Sequence, residues 1–160
     1  MVRAIAQTIG SEKVGIRFSP FSKLGDLALY DEEETTATYT WLAKNLNDLD
    51  IAYLHIAVNA PIGEKTFQAI RNNFSRIIIL SNGLTPETGE AALHAGFADL
   101  VAFGRSFLSN PDFVEKIESG EALNPVDYAH LYTTGSVGYI DYPILKSIHT
   151  QKILKNEIYQ

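Results

Sequence analysis

Two short segments have the residue types for chemistry. Ser81-Asn82-Gly83 and Gly104-Arg105 each follow an apolar run and lead into a helical pattern. Backbone N–H groups there can approach an anion closely, beside the partial positive charge of a helix N-terminus, and Arg105 adds a charge-assisted grip capable of two parallel hydrogen bonds. The chemistry is that of a phosphate cradle. Glycines after strands also serve turns alone, and Arg105 could be a solvated surface residue, so the spacing leaves both readings open.

Arg17 stands inside the apolar run Val14-Gly15-Ile16-Arg17-Phe18, where a guanidinium is expensive to bury unpaired. It needs an anion, either a cofactor group at the mouth of the strand or a carboxylate such as Asp99. His55, within Ile51-Ala52-Tyr53-Leu54-His55-Ile56, could be a ligand or proton donor, although a lone histidine in a strand is more often a packed, hydrogen-bonded core residue. His94, His130 and His149 lack metal-ligand spacing, and Asp31 to Glu34 reads as the solvated start of a helix rather than a carboxylate cluster. Tyr132, Tyr139 and Tyr142 crowd the irregular stretch 135–143, either a loop that stacks on a ligand or a flap that closes the core.

Positioning these groups falls to four apolar runs, 14–18, 51–56, 77–80 and 99–103, which are near-continuous, as in parallel strands buried on both faces. Helical patterns lie between them. Asp31 with Glu34 predicts a capping box, followed by a stripe of Tyr39, Leu42, Ala43 and Leu46. Phe67, Ile70 and Phe74 repeat at helical spacing over about 62–74, and Thr85-Pro86-Glu87 opens another helix that Gly96 closes. Asn110-Pro111-Asp112 repeats the opening device before Phe113, Val114 and Ile117, and Gly120 ends it. The residues from Arg3 to Ile9 read as the end of a helix. Four-fold βα alternation predicts a parallel α/β sheet, either open and doubly wound or an arc of a barrel.

The 160 residues, 46% apolar and 20% charged, have the balance of a globular domain with a real core. They fall short of the roughly 200 to 250 residues of a complete eight-unit barrel, so an arc is expected rather than a whole one. A net charge of −6 offers no cationic field for nucleic acid. No cysteine occurs, which removes disulfides, thiolate metal sites and a catalytic thiol. With no signal-like segment and no run long enough for a membrane span, a soluble cytoplasmic protein is the expectation.

Five segments in order, Val14-Gly15-Ile16-Arg17-Phe18-Ser19-Pro20, Tyr53-Leu54-His55, Ser81-Asn82-Gly83-Leu84-Thr85-Pro86-Glu87, Ala98 to Arg105 with Asn110-Pro111-Asp112, and Gly138-Tyr139-Ile140-Asp141-Tyr142-Pro143, resemble the Old Yellow Enzyme family of flavin-dependent NAD(P)H oxidoreductases. These are ene-reductases of the N-ethylmaleimide reductase type. The resemblance spans residues 2 to 145. It implies the C-terminal half of a (β/α)8 TIM barrel, a (βα)4 half-barrel over 1–145 with a tail over 146–160, binding FMN at the C-terminal strand ends. Arg17 then matches the arginine beside flavin N1 and the C2 carbonyl. Ser81, Asn82, Gly83, Gly104 and Arg105 match the residues that hold the FMN phosphate, and Tyr139 matches a tyrosine lining the substrate side of the ring.

The resemblance reaches only the last four βα units. The His/His or His/Asn pair, the proton-donating tyrosine, and the Thr and Gln that contact the flavin ring belong to the other four. The expected function is therefore the FMN-binding half of an oxidoreductase that moves hydride from NAD(P)H through FMN to an activated alkene, inactive alone. The alternative is a non-catalytic flavin- or phosphate-binding half-barrel, an assembly module or truncated remnant. An arc with two open strand edges and an uncovered apolar face should self-associate or take a complementary N-terminal half-barrel.

Overall fold

The computed structural model describes residues 1–22, 31–57 and 64–145. They fall into two compact units, Met1–Ala102 and Phe103–Gln160. The tail expected over 146–160 and the start of the helix expected from 62 lie outside the described residues. No described helix is long and apolar enough to cross a membrane.

The first unit runs α1 (Val2–Ile9), a 3-10 turn (Ser11–Lys13), β1 (Gly15–Phe18), α2 (Glu32–Asn47), β2 (Tyr53–Ala57), α3 (Glu64–Asn73), β3 (Ile77–Ser81), α4 (Pro86–His94) and β4 (Leu100–Ala102). The strands form one sheet in the order β1-β2-β3-β4, and every neighbouring pair is parallel. This is the βα alternation expected from the apolar runs, strand beside strand in chain order, as in an arc of a barrel.

Local chemistry sets the helix starts. The Asp31 carboxylate accepts the Glu34 N–H at 2.8 Å, and three glutamates fill the first turn of α2, where they complement the helix dipole. At α4 the Thr85 hydroxyl accepts the Thr88 N–H while the Thr88 hydroxyl accepts the Thr85 N–H, a reciprocal box made by two threonines, with Pro86 in the first turn. Gly96 follows with φ 72, the left-handed exit that glycine adopts without a steric penalty.

One sheet face carries the core. Phe18, Leu54, Ile56, Ile78 and Leu80 are buried together with Ala43 and Leu46 of α2, Ile70 of α3 and Phe74. The stripes read from α2 and α3 are thus core-facing. The expectation of burial on both faces is not met: Tyr53, Ile77 and Leu100, on the opposite face, are 38%, 45% and 51% exposed. Both faces are apolar in composition, but the helices cover one of them.

Asp99 ties the N-terminal ends of β3 and β4 to α3. Its Oδ2 accepts from Ile78 N and Arg71 Nη1, each at 2.8 Å, and Arg71 Nη2 donates to the Phe74 and Arg76 carbonyls. The carboxylate considered as a partner for Arg17 is therefore paired with Arg71.

The second unit holds α5 (Arg105–Ser109), α6 (Phe113–Ser119) and an irregular segment to residue 145. Phe113 packs on Phe103 and Phe107 at ring separations of 5.0 and 5.6 Å. The helix expected to open at Asn110-Pro111 starts later, with Asp112 as its N-cap. Asn110 is instead wholly buried and bonds Ser106 O, Ser109 Oγ, Asn124 and Lys116 Nζ. Gly120 ends α6 in the left-handed region, as its position predicts.

Candidate functional site

Register places the strand residues. Arg17 pairs with His55, His55 with Ile79 and Ile79 with Leu100; one row further along, Ala57 pairs with Ser81 and Ser81 with Ala102. Partners in a parallel sheet point to the same side, and residues two apart share a face about 6.6 Å along the strand. Arg17, His55 and Ser81 therefore stand on one face, the one opposite the helices. Arg17 is exposed there rather than buried, so its charge is not stranded in the core.

His55 is half-buried, and its Nε2 is shut off from solvent with no hydrogen-bond partner. Burial, and secondly the Arg17 charge beside it, push its pKa below the usual histidine value, which favours the uncharged ring. The hydrogen-bonded core histidine considered from sequence is not what stands here. Ser81 is 7% exposed, and its Oγ likewise has no partner.

The chain leaves β3 through two consecutive left-handed residues, Asn82 and Gly83, both at φ 70, and enters α4 at the Thr85 cap. Asparagine and glycine are the types that tolerate this conformation, which is why Asn-Gly sits at this turn. The strand end thus carries a sequestered hydroxyl followed by a tight turn.

In the second unit, Gly104 precedes α5 and Arg105 is its first residue. A Cβ built on Gly104 meets nothing within 4 Å, so the space beside this backbone is open. The Arg105 guanidinium carbon lies 5.9 Å from the centre of the Tyr128 ring, an aromatic neighbour the sequence reading did not single out. Tyr139 is half-buried, and its hydroxyl oxygen accepts the Tyr132 N–H at 2.9 Å; Tyr142 does the same for Asp127 N–H at 2.9 Å. His130 Nδ1 lies 2.6 Å from Asp127 Oδ2, and this contact is the main reason the Asp127 carboxyl is held below the usual range. The tyrosine-rich stretch is a loop, as its composition predicts, and its hydroxyls pin it to its own backbone.

The first unit therefore brings together Arg17, Ser81, Asn82 and Gly83, and adds His55. The second holds Gly104, Arg105 and Tyr139. In the first unit, an orphaned hydroxyl, a left-handed Asn-Gly turn and an exposed arginine fit a ligand rich in anionic and carbonyl oxygens, as FMN is. In the second, the open space beside Gly104 and the Arg105 guanidinium suit an anion.

Comparison with known proteins identifies the family. Among solved structures, morphinone reductase in complex with tetrahydroNAD superposes with a TM-score of 0.81 at 37% identity, over 92% of this chain and 40% of the other. The old yellow enzyme from Trypanosoma cruzi gives 0.78 at 31% identity, over 90% and 38%. A 12-oxophytodienoate reductase-like protein of Solanum lycopersicum is 36% identical over 147 residues, 91% of this chain and 40% of that protein. A probable flavin mononucleotide-dependent alkene reductase of Leishmania infantum is 33% identical over 89% of this chain and 39% of its own length. The chain thus spans about 40% of these relatives. Residues 1–124 match the model of the NADH:flavin oxidoreductase / NADH oxidase family, whose cofactors are FMN and a nicotinamide reductant, and the chain belongs to that family.

Proposed function

We propose that this chain is the FMN-binding portion of an Old Yellow Enzyme type oxidoreductase that uses NAD(P)H to reduce activated alkenes. The observation that carries the reading is the end of β3, where the sequestered Ser81 hydroxyl is followed by the left-handed Asn82-Gly83 turn, in a chain of the flavin oxidoreductase family. When bound, FMN supplies hydride transfer from the nicotinamide to the β-carbon of the alkene.

The chain's own residues bind and orient. Arg17 offers positive charge to the electron-rich edge of the ring system. In the first unit Ser81, Asn82 and Gly83 are assigned to phosphate binding through turn N–H groups, and in the second Gly104 and Arg105 are assigned to phosphate binding through an N–H group and a guanidinium. Tyr139 lines the substrate side with its ring. Protonation of the substrate is assigned to residues outside these 160, so the chain alone should bind flavin without turnover.

The uncovered apolar face and the open edges of β1 and β4 are assigned to another arc, a second copy or a complementary half-barrel. A flavin-binding module with no catalytic partner is the second reading, favoured by the engagement of the Tyr139 hydroxyl with Tyr132.

The full chain titrated with FMN and followed by flavin fluorescence should saturate, and Arg105→Ala should weaken binding about tenfold, the scale of one charge-assisted hydrogen bond. No binding, or reduction of N-ethylmaleimide by the isolated chain with NADPH, overturns the proposal. Turnover that appears only with an added half-barrel separates the first reading from the second.

A further inference from the structure

His55 is the group on the sheet face opposite the helices whose state the phosphate site leaves unexplained. A neutral imidazole carries one N–H donor and one acceptor nitrogen, and its tautomer follows the partner it finds. The His55 Nε2 finds none and is closed to water, a condition native folds rarely keep without a ligand or bound water to relieve it. The same holds for Ser81 Oγ, on the neighbouring strand and one row along the same face. Arg17 stands in register with His55 on its other side. No strand residue of this face carries a carboxylate. Guanidinium, imidazole and hydroxyl can all donate, and nothing on the sheet accepts from them.

The complement of three donors in adjoining rows is a group with several acceptors on one edge. A phosphate is such a group, but the Asn82-Gly83 turn lies beyond the end of β3, whereas the Arg17–His55 row lies two residues before that strand end. A planar heterocycle with carbonyl oxygens and ring nitrogens along one edge suits the row instead. We infer that His55 is a ligand-binding residue that donates its imidazole N–H to a carbonyl or ring-nitrogen acceptor on the flavin ring system, alongside Arg17 and Ser81. The inference rests on the FMN reading above and adds to it a contact with the ring rather than the phosphate.

Nitrogen NMR of the full chain labelled at histidine tests it directly, with the His55 signals assigned by their loss in His55→Gln. Saturation with FMN, and separately with riboflavin, which lacks the phosphate, should shift the His55 nitrogens in both cases. His55→Leu should weaken FMN and riboflavin alike by about tenfold, whereas His55→Gln, which keeps an N–H donor, should stay within about threefold, with circular dichroism unchanged. Arg105→Ala should weaken FMN more than riboflavin. If FMN binds while the His55 nitrogens stay in place, or if the Leu and Gln variants lose affinity equally, the His55 contact is wrong and the FMN reading stands. If neither flavin binds, the FMN reading fails and this contact with it. Should His55→Leu not fold, the wild-type shifts decide the matter.

Discussion

Lys116 is 3% exposed, with its Nζ 2.9 Å from Asn110 Oδ1 and 3.5 Å from Asp112 Oδ1. A buried ammonium is tolerable only when it is paired and hydrogen-bonded, so Asn110 does more than fill space. Its Oδ1 also accepts the Asn124 N–H at 2.7 Å, while Asp112 accepts the Leu145 N–H, which ties the C-terminal segment to α6. Asn110→Ala should cost about 3 kcal/mol, because it removes the hydrogen-bond acceptor of the buried Lys116 and of the Asn124 N–H at once, and a lower urea midpoint would report it. Asp99 gives a pH dependence. Burial works to raise its pKa, but the Ile78 N–H and the Arg71 guanidinium outweigh burial and hold it below the usual value. A depressed folded pKa means stability present above the unfolded value of about 4 and lost as pH falls through the folded one. The stability advantage of wild type over Asp99→Asn should therefore be full at pH 7 and vanish in strong acid, measured by urea unfolding at each pH.

Caps and close approaches decide how well individual elements form. The paired threonines at the start of α4 satisfy two otherwise unbonded groups at the helix end, so Thr85→Ala should destabilise the chain by about 1 kcal/mol. A thermal or urea scan suffices to check this. Gly15 in β1 is a close-approach position: its register partner is Tyr53, and a Cβ there would collide with the Tyr53 ring. Gly15→Ala should cost about 1 to 2 kcal/mol in wild type and close to nothing in a Tyr53→Ala background. A double-mutant cycle read from urea unfolding measures the difference, and equal costs in both backgrounds would show that the ring is not the obstacle. The α6 start shows why local signals mislead. Asn110-Pro111 has the form of a cap followed by a first-turn proline, yet the demand of a buried Lys116 draws Asn110 inward and the helix begins after Asp112.

At the scale of the molecule, the parallel four-stranded sheet buries one face and leaves Tyr53, Ile77 and Leu100 exposed on the other. Contiguous apolar surface of this kind favours association. The purified chain should elute in gel filtration above its 17.7 kDa monomer mass, and Ile77→Thr with Leu100→Thr should return it toward that mass. Elution as a monomer without those changes counts against an arc that needs a partner.

The alternation of strand and helix, the starts of α2 and α4 and the Ser81-Asn82-Gly83 turn were legible in the chain, because apolar periodicity, capping residues and left-handed tolerance act over a few neighbouring positions. Family membership was legible for a related reason, since several ordered motifs carry it together. Register and packing are long-range, and they alone settled the rest. They turned one apolar strand face outward, gave Asp99 to Arg71 instead of Arg17, and set His55 between an arginine and an orphaned serine. Which face a strand buries depends on what packs against it, a property no single stretch of residues contains.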